Sequence, residues 1–336
     1  MVEMNMVQSI NSALDNMLEK DQDVLLFGED IGYFGGVFRT SDGLQKKFGK
    51  HRVFDTPLSE GGIAATAFGM GINGLRPVVE IQFADYIFPA YDQIVNEIAK
   101  VRHRSGGEFW CPITIRTPAG GGIRGGHHHS QSPESQFTHT PGLKVVYCST
   151  PYNSKGLLIS SIESNDPVIF FEPKRCYRGP FYGDPHNVPT WKDHPEAEVP
   201  EDHYKIPLGQ GRLAMEGDKC TIIAWGTMVH VAEKAIIDSE ISCDLIDLQT
   251  LLPWDKEIVI NSVKKTGRCV IVHEAPKTSG FGSELSASIQ ELCFYNLESP
   301  IQRIAGWDTP FPHTTEWDYM PSTARIVAAI KKTQED

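Results

Sequence analysis

Short apolar runs alternate with longer helical patterns along most of this 336-residue chain, and this alternation constrains the fold more than any other feature of the sequence. It is typical of parallel sheets that carry helices on both faces. In the first half, the predicted strands are residues 24–27, 77–81, 113–116, 144–147 and 168–171, and the predicted helices lie near residues 5–20, 61–73, 86–104 and 153–163. The sequence therefore predicts an α/β fold.

A change of composition near Tyr177 divides the chain. Six prolines fall there among glycine, aspartate and histidine, at positions 180, 185, 189, 195, 200 and 207. Proline cannot continue a helix or a central strand, so we predict an extended linker over residues 177–207. The alternation resumes with predicted strands at residues 221–225, 244–248, 270–272 and 302–304. We expect two parallel-sheet domains, residues 1–176 and 208–336, each large enough to bury its own core.

The charge balance and the cysteines limit the possible partners. The net charge is −12 and basic residues form no cluster, whereas surfaces that bind nucleic acid or anionic membranes need clustered lysine and arginine. No apolar run approaches the roughly 20 residues of a membrane span, and the N-terminus lacks the pattern of a signal peptide. The seven cysteines form no C-x-x-C pair, which is typical of reduced thiols. We expect a cytoplasmic protein that binds neither nucleic acid nor membrane.

Two glycine patterns, residues 69–74 and 120–125, satisfy G-x-G-x-x-G. A dinucleotide site requires a strand before the pattern, a helix after it and an acidic residue about 20 positions later. The first pattern closes a predicted helix, and the second leads into a polar turn. We therefore disfavour a nicotinamide or flavin enzyme.

Three adjacent histidines, His127, His128 and His129, follow the second glycine pattern. Adjacent loop residues cannot all face one metal ion, and His273-Glu274 lacks the second histidine of H-E-x-x-H, so a zinc hydrolase has weak support. The three histidines do share a glycine-rich loop at a strand's end, where α/β proteins place active-site groups.

Glu60 stands where a loop, Thr56-Pro57-Leu58-Ser59, meets a predicted helix. A glutamate at such a junction is more often a solvated cap or a partner of the helix dipole than a catalyst. A second run, Glu-Ile-Gln-Phe-Ala-Asp-Tyr at residues 80–86, follows after one predicted strand. Together the two runs suggest a carboxylate and an aromatic ring held at one cofactor.

Six ordered segments, residues 28–30, 56–60, 80–86, 129–134, 171–174 and 306–313, resemble the beta subunits of thiamine-diphosphate-dependent 2-oxo acid dehydrogenases. The resemblance covers nearly the whole chain. It is strongest to the branch that uses branched-chain 2-oxo acids, as residues 32–39 and 86–90 suggest. It implies a pyrimidine-binding domain followed by a transketolase C-terminal-like domain, and an enzyme that decarboxylates a 2-oxo acid oxidatively and transfers the acyl group to lipoyl on an acyltransferase.

The resemblance also implies roles for particular residues. Glu60 would be catalytic and would hydrogen-bond a pyrimidine ring nitrogen of thiamine diphosphate, which favours the tautomer that serves as an internal base. Tyr86 would contact the pyrimidine, and Leu58 and Gln82 would line the same pocket. His129 would be catalytic beside the 2-oxo group, where an imidazole can donate a proton or a hydrogen bond. Which of the three adjacent histidines faces the cofactor stays open.

An absence in the sequence points to a partner. Thiamine enzymes hold a divalent metal and the diphosphate through a Gly-Asp-Gly segment, and this chain contains none. The resemblance implies that an alpha subunit supplies that half and holds Mg²⁺, that two alpha and two beta chains form a tetramer, and that the second domain serves beta–beta contact and docking onto the acyltransferase core. It also implies a structural potassium ion at Ile113, Ser161, Ser164 and Asp166.

The sequence leaves several alternative functions open. Pyruvate and branched-chain 2-oxo acids differ by a few carbon groups, each worth only about 1–3 kcal/mol of discrimination in an apolar pocket, so a pyruvate dehydrogenase beta subunit stays open. The C-terminal half of a split transketolase, or of a deoxyxylulose-phosphate synthase, keeps the fold but changes the substrate to a sugar phosphate. A non-catalytic scaffold is disfavoured, because Glu60, Tyr86 and His129 are all present.

Overall fold

The computed structural model describes residues 1–177 and 196–335. The strands in this part of the chain are β1 (Val2–Asn5), β2 (Val24–Gly28), β3 (Val53–Asp55), β4 (Arg76–Glu80), β5 (Thr114–Ala119), β6 (Lys144–Tyr147), β7 (Val168–Pro173), β8 (Glu196–Val199), β9 (Arg212–Met215), β10 (Cys220–Ala224), β11 (Cys243–Asp247), β12 (Thr250–Leu252), β13 (Cys269–Pro276) and β14 (Gln302–Gly306).

The α-helices alternate with these strands, as the sequence predicts. They are α1 (Met6–Lys20), α2 (Leu44–Phe48), α3 (Glu60–Ile72), α4 (Val101–Arg104), α5 (Glu134–Thr138), α6 (Pro151–Glu163), α7 (Lys174–Tyr177), α8 (Thr227–Ser239), α9 (Lys256–Thr266), α10 (Phe281–Cys293), α11 (Glu316–Tyr319) and α12 (Thr323–Lys332). Two of the longer helices begin with a reciprocal capping box, α1 at Asn5 and α6 at Thr150. This arrangement satisfies otherwise unpaired N–H groups.

The first sheet has seven strands in the order β12-β6-β7-β5-β4-β2-β3. The pairs from β6 to β3 are parallel, and only the edge strand β12 is antiparallel. The interior strands are buried along nearly their whole length; all six residues of β5 and of β7 are buried. Helices cover both faces of such a sheet, which explains why these strands are apolar runs and not alternating patterns.

The second sheet has five strands in the order β14-β13-β10-β11-β9. Three of its pairs are parallel, and β9 closes one edge in the antiparallel sense. The prediction of two parallel-sheet domains is therefore right for both interiors, and both sheets add one antiparallel edge strand. Short antiparallel edges of this kind are common on otherwise parallel sheets.

The two halves of the chain share a core. Strand β12 comes from the second half but pairs with β6 of the first sheet. A single apolar cluster includes Phe171 from the first half together with Ile223 and Trp225 from the second. Such continuous apolar packing joins the two sheets more firmly than a flexible linker would.

Four further features of the chain bear on the sequence predictions or fall outside them. The helix predicted over residues 86–104 is wrong as one element, because the segment divides into the 3₁₀ turns Ala84–Tyr86 and Phe88–Ala90, a π-helix at Gln93–Ile98 and α4. Most of the predicted linker, residues 178–195, lies outside the described residues, and β8 within its last part pairs with β1. All seven cysteines are free and buried. Among the described residues, no helix is both long and apolar enough to cross a membrane.

Candidate active site

Four adjacent strands of the first sheet, β5, β4, β2 and β3, run parallel, so their carboxyl ends lie side by side at one edge. The segments that follow β2, β3, β4 and β5 carry Glu29, Glu60, Tyr86 and His129, respectively. Ligand sites of open α/β sheets lie outside the carboxyl ends of the strands. The fold thus gathers residues that are distant in sequence at the place where such proteins bind small molecules.

Glu60 is the first residue of α3, and Leu58 lies in the loop just before it. The positive end of the helix dipole favours a carboxylate at this position. Glu60 is half-buried, and its carboxylate makes no hydrogen bond to a described residue, while the Leu58 side chain is 82% exposed. A carboxylate that the helix holds but that has no partner is free to accept a hydrogen bond from a ligand.

Gln82 follows β4, and its amide Nε2 donates to Asp30 Oδ2 at 3.1 Å. The amide nitrogen also lies 3.5 Å from the carbonyl oxygen of Glu29. These contacts tie the segment after β4 to the segment after β2. Gln82 therefore borders the same sheet edge as Glu60 and Tyr86.

Tyr86, Phe83 and His129 form an aromatic cluster. The Tyr86 hydroxyl and His129 Nε2 are 2.8 Å apart, and the two ring centroids are 5.5 Å apart. Phe83 packs edge-to-face against both rings, with centroid distances of 5.8 Å to Tyr86 and 4.6 Å to His129. Aromatic rings prefer this edge-to-face geometry, so the packing holds the rings of Tyr86 and His129 in place.

The second ring nitrogen of His129 settles its tautomer. Nδ1 lies 3.3 Å from the carbonyl oxygen of Gly125. A carbonyl oxygen can only accept a hydrogen bond, so Nδ1 carries the proton and donates to it. Nε2 of the neutral ring is then the acceptor, and the Tyr86 hydroxyl donates to it. The basic nitrogen of His129 therefore faces the sheet edge that carries Tyr86.

The other two histidines lie elsewhere. His127 and His128 are exposed, and their ring centroids are 4.0 Å apart. Both line a cleft of about 1560 Å³ between the domains, together with Glu274 and Phe311 of the second domain. His129, by contrast, is half-buried against Tyr86 and Phe83.

Glu29 is a buried carboxyl group at the same edge. It is 4% exposed, and its Oε1 atom has no hydrogen-bond partner among the described residues. Burial, as the largest cause, and the neighbouring carboxylates of Glu60, Asp30 and Glu80 together raise the pKa of Glu29 from 4.5 to about 7. Burial and nearby carboxylates likewise raise the pKa of the Tyr86 hydroxyl. Near neutral pH, Glu29 is thus divided between its protonated and ionised forms, unlike a surface glutamate.

Asp85 links the two sides of the aromatic cluster. Its Oδ1 atom accepts hydrogen bonds from the backbone N–H groups of Ser130 and Gln131, each at 3.2 Å. Asp85 precedes Tyr86 directly, and Ser130 follows His129 directly. One buried carboxylate therefore fixes the backbone beside the rings of both Tyr86 and His129.

A buried ion network lies beneath the site. The guanidinium of Arg116 on β5 pairs with Glu80 at 2.6 Å and with Glu172 at 2.8 Å, and all three side chains are at most 2% exposed. Thr40 donates a further hydrogen bond to Glu80 at 3.1 Å. Removing one partner of such a network leaves an uncompensated buried charge, which costs about 3–5 kcal/mol. The network therefore holds the carboxyl ends of β4, β5 and β7 in register.

The four residues of the predicted potassium site lie in another corner of the first domain. Ser164 Oγ donates to the carbonyl oxygen of Asp166 at 2.9 Å, and the carbonyl oxygens of Ser161 and Ile113 accept from Ser164 N and Val168 N at 3.2 and 2.9 Å. The Asp166 carboxylate pairs with Arg102 and with Lys144. Arg76 donates to the Ser164 carbonyl at 3.2 Å. The nearby Thr114 hydroxyl is buried and has no partner among the described residues.

Sequence reasoning assigned no role to Glu29, Phe83, Asp85 or Thr114. All but Thr114 lie in segments that carried the resemblance, residues 28–30 and 80–86, but nothing in the order of residues says which side chains are buried together. No group of three or more histidine, cysteine, aspartate or glutamate side chains in residues 1–177 and 196–335 could hold a metal ion.

Comparisons with known proteins match both halves of the chain. The family described as "Transketolase, pyrimidine binding domain" matches residues 2–180, and "Transketolase, C-terminal domain" matches residues 209–326. A solved structure, a split-gene transketolase described as an inactive beta4 tetramer, superposes with a TM-score of 0.74 and covers 99% of this chain and 98% of that one. At 19% identity, it supports the fold alone.

Curated relatives align over nearly the full chain. The 2-oxoisovalerate dehydrogenase subunit beta of Pseudomonas aeruginosa is 55% identical, over 99% of this chain and 95% of that protein. The mitochondrial subunit of the same name from Dictyostelium discoideum is 54% identical, over 98% and 86%. The pyruvate dehydrogenase E1 component subunit beta of Acholeplasma laidlawii is 44% identical, over 97% of each chain.

Proposed function

The chain belongs to the family of 2-oxoisovalerate dehydrogenase beta subunits, and from that membership we propose that it supplies one side of a thiamine diphosphate site for the oxidative decarboxylation of branched-chain 2-oxo acids. The acyl group would then pass to lipoyl on an acyltransferase. The observation that carries the choice of substrate is the identity of 52–55% to 2-oxoisovalerate dehydrogenase beta subunits, against 44% to pyruvate dehydrogenase beta subunits.

The sheet edge has the groups that an aminopyrimidine ring needs. Glu60 offers an unpaired carboxylate for a ring nitrogen, and Tyr86 offers an aromatic face that Phe83 already orients. Leu58 and Gln82 flank these groups at the same edge. The unpaired and buried Oε1 of Glu29 is a further polar atom that suits a polar ligand better than an apolar one. These features support thiamine diphosphate as the ligand.

When bound, thiamine diphosphate supplies the nucleophilic carbon that adds to the 2-oxo group of the substrate. Glu60 would hold the pyrimidine in the tautomer that removes a proton internally. His129 would accept a proton at Nε2 and, once protonated there, would donate a hydrogen bond to the charge that develops on the substrate oxygen or return the proton to it. The Tyr86 hydroxyl and the Gly125 carbonyl keep the imidazole in the tautomer that this role requires.

The remaining half of the site would belong to an alpha subunit. No Gly-Asp-Gly segment occurs in this chain, so the alpha subunit would hold Mg²⁺ and the diphosphate. Two alpha and two beta chains would form the tetramer, and the second domain would provide beta–beta contact and the docking face for the acyltransferase core. A potassium ion at Ile113, Ser161, Ser164 and Asp166 would stabilise the first domain, and the unpaired Thr114 hydroxyl supports a ligand at that corner.

The test is substrate preference in the assembled enzyme. The chain is co-expressed with its alpha partner, and decarboxylation of 2-oxoisovalerate and of pyruvate is followed with a dye acceptor. We expect a kcat/KM for 2-oxoisovalerate at least tenfold above that for pyruvate, a difference of about 1.4 kcal/mol. The Glu60→Gln variant should assemble normally and lose nearly all activity with both substrates.

Each of the other possible results would contradict a different part of the proposed function. Preference for pyruvate would contradict the branched-chain assignment and leave the cofactor site intact. Activity with neither substrate would favour sugar-phosphate chemistry of the transketolase type. Near-normal turnover by Glu60→Gln in a correctly assembled tetramer would remove Glu60 from its proposed role.

A further inference from the structure

The glycine-rich loop at residues 120–125 satisfies a dinucleotide-binding pattern, yet the structure shows a different anion against its backbone. The N–H of Gly122 donates to Glu316 Oε2 at 3.2 Å, and the N–H of Arg124 donates to both oxygens of Glu316 at 3.0 and 3.1 Å. The N–H of Gly121 donates to Glu274 Oε2 at 3.0 Å. The loop therefore binds two carboxylates of the second domain through the N–H groups that in a nucleotide-binding loop would face phosphate.

Glu316 lies at the start of α11 and is completely buried. Hydrogen bonds between a carboxylate and backbone N–H groups are charge-assisted and about twice as strong as neutral ones. Arg124, one of the two residues that Glu316 holds, has a φ of 55°. A residue other than glycine pays about 1–2 kcal/mol for this left-handed conformation. Glu316 thus stabilises the left-handed backbone conformation of Arg124, which is unfavourable without these hydrogen bonds.

The held backbone leads directly to His129. The N–H that Glu316 binds belongs to the Ile123–Arg124 peptide, and two peptide units further along the chain the Gly125 carbonyl oxygen accepts the Nδ1 proton of His129 at 3.3 Å. That bond selects the tautomer whose Nε2 faces the Tyr86 hydroxyl. A shift of the Arg124 peptide would turn the Gly125 carbonyl away and free the imidazole to change its tautomer or its orientation.

We propose that Glu316 is a positioning residue for His129: the second domain holds the N–H groups of Gly122 and Arg124, and so fixes the course of the chain to Gly125. The Gly125 carbonyl then sets the tautomer and orientation of the active-site imidazole. The kinetic part of this inference rests on the proposed function, because it assumes that His129 acts in decarboxylation. The structural part concerns only this chain. It gives the second domain a task at the active site in addition to contacts with other subunits.

The first test reads the tautomer directly. The full chain is labelled with ¹⁵N-histidine, and the His129 signals are identified by their loss in a His129→Ala variant. We expect the wild-type chain to show Nδ1 protonated and Nε2 unprotonated at pH 8, and Glu316→Gln to show a mixture of both tautomers. An unchanged His129 tautomer in Glu316→Gln would overturn the proposal, whatever the activity.

Asp318→Asn is the matched control. Asp318 lies on the same four-residue helix, is exposed, and its carboxylate does not contact the glycine loop. The control removes the same charge from the same helix and should leave the His129 signals unchanged. If Glu316→Gln fails to fold, Glu316→Asp replaces it, because this variant keeps the charge but withdraws it by one methylene group. It should show a minor fraction of the second His129 tautomer, which the wild-type chain lacks.

The second test is a double-mutant cycle in the assembled tetramer with 2-oxoisovalerate. We expect Glu316→Gln to lower kcat by about 10- to 100-fold, the cost of a misplaced catalytic group, with KM changed by less than about twofold. Because Glu316 acts through His129, the Glu316→Gln/His129→Ala double variant should be no slower than His129→Ala alone. Losses that multiply in the double variant would show a separate structural effect and overturn the proposal. Full activity of His129→Ala would instead contradict the proposed role of His129, and the tautomer measurement would still decide the role of Glu316.

Discussion

At the scale of single residues, the carboxyl group of Glu29 at the sheet edge has a strongly raised pKa. It is almost completely buried, it lies near three other carboxylates, and its pKa is about 7 in place of 4.5. A raised pKa means that the folded chain holds this proton more tightly than the unfolded chain does. Folding is therefore penalised progressively as the pH rises from about 4.5 to about 7, and the full penalty persists above that range.

This linkage predicts the effect of Glu29→Gln on stability. The amide has nearly the same shape as the protonated carboxyl and cannot ionise, so the variant escapes the penalty. We expect its melting temperature to exceed that of the wild-type chain by about 2 °C or more at pH 8, which corresponds to roughly 1 kcal/mol for a chain of this size, and to differ little at pH 5. Thermal unfolding of the purified chain, followed by circular dichroism, measures both values.

Glu108→Gln serves as the control for Glu29→Gln, because Glu108 is exposed. It should change the melting temperature by a similar small amount at both pH values. A Glu29→Gln variant whose stability relative to wild type is the same at pH 5 and pH 8 would show that Glu29 titrates as an ordinary surface carboxylate.

At the scale of elements, residues 84–104 show how tertiary contacts override a helical pattern. The apolar periodicity indicates one helix, but Pro89 lacks the N–H that a continuous helix would use, and the segment follows the sheet edge as short 3₁₀, π and α turns. The π-helix ends at Ile98, and the turn before β6 packs closely against Ala99, the residue that follows it. Gly142 in that turn has a φ of 100°, and a Cβ built on it would overlap the carbonyl oxygen of Ala99.

Gly142→Ala should therefore destabilise the chain strongly. The new Cβ meets backbone that cannot move without disturbing the π-helix, and the left-handed conformation adds its own cost, so we expect a loss of about 3 kcal/mol or more in the free energy of unfolding. Urea denaturation measures this loss.

Gly43→Ala is the matched control for this substitution. Gly43 has a φ of 78°, but a Cβ on it would meet nothing within 4 Å. It should lose only about 1–2 kcal/mol, the conformational cost alone. Equal losses at the two positions would show that the contact with Ala99 carries no additional cost.

At the scale of the whole molecule, the proposed site carries an unpaired carboxylate beside exposed apolar side chains. The carboxylate of Glu60 is without a partner in the described chain, Leu58 before it is 82% exposed, and Tyr33 and Phe34 near the same edge are 92% and 51% exposed. Large exposed apolar side chains beside polar functional groups are typical of surfaces that another subunit covers. This arrangement agrees with a cofactor that is shared between two chains.

The isolated chain should consequently not bind thiamine diphosphate. Without the metal and phosphate contacts of an alpha subunit, we expect titration calorimetry with Mg²⁺ present to give no binding tighter than about 1 mM, which corresponds to roughly −4 kcal/mol. The co-expressed alpha–beta assembly, titrated in the same buffer, should bind the cofactor with a measurable heat. Tight, Mg²⁺-dependent binding by the chain alone would contradict the shared site.

Much of the fold follows from local physics that a sequence displays. Buried parallel strands must be apolar on both faces, so runs such as residues 144–147 and 168–171 identify β6 and β7 almost to the residue. The ordered motifs around Glu60, Tyr86 and His129 likewise identified the family, since each motif is a contiguous stretch of chain. In these cases the decisive interactions involve neighbours in sequence or the solvent, and both are visible in the order of residues.

Other features depend on contacts between distant parts of the chain. Four features arise from contacts between segments that are far apart in sequence. They are the pairing of β12 with the first sheet, the division of residues 84–104 into short turns, the burial that raises the pKa of Glu29, and the hydrogen bonds between Glu316 and the glycine loop. The sequence by itself determined the α/β class and the family, while the linker over residues 177–207 and the roles of the site residues stay predictions. Only the tertiary structure decided which histidine meets Tyr86 and what anion the loop at residues 120–125 binds, because burial and hydrogen-bond geometry arise when the two domains pack together.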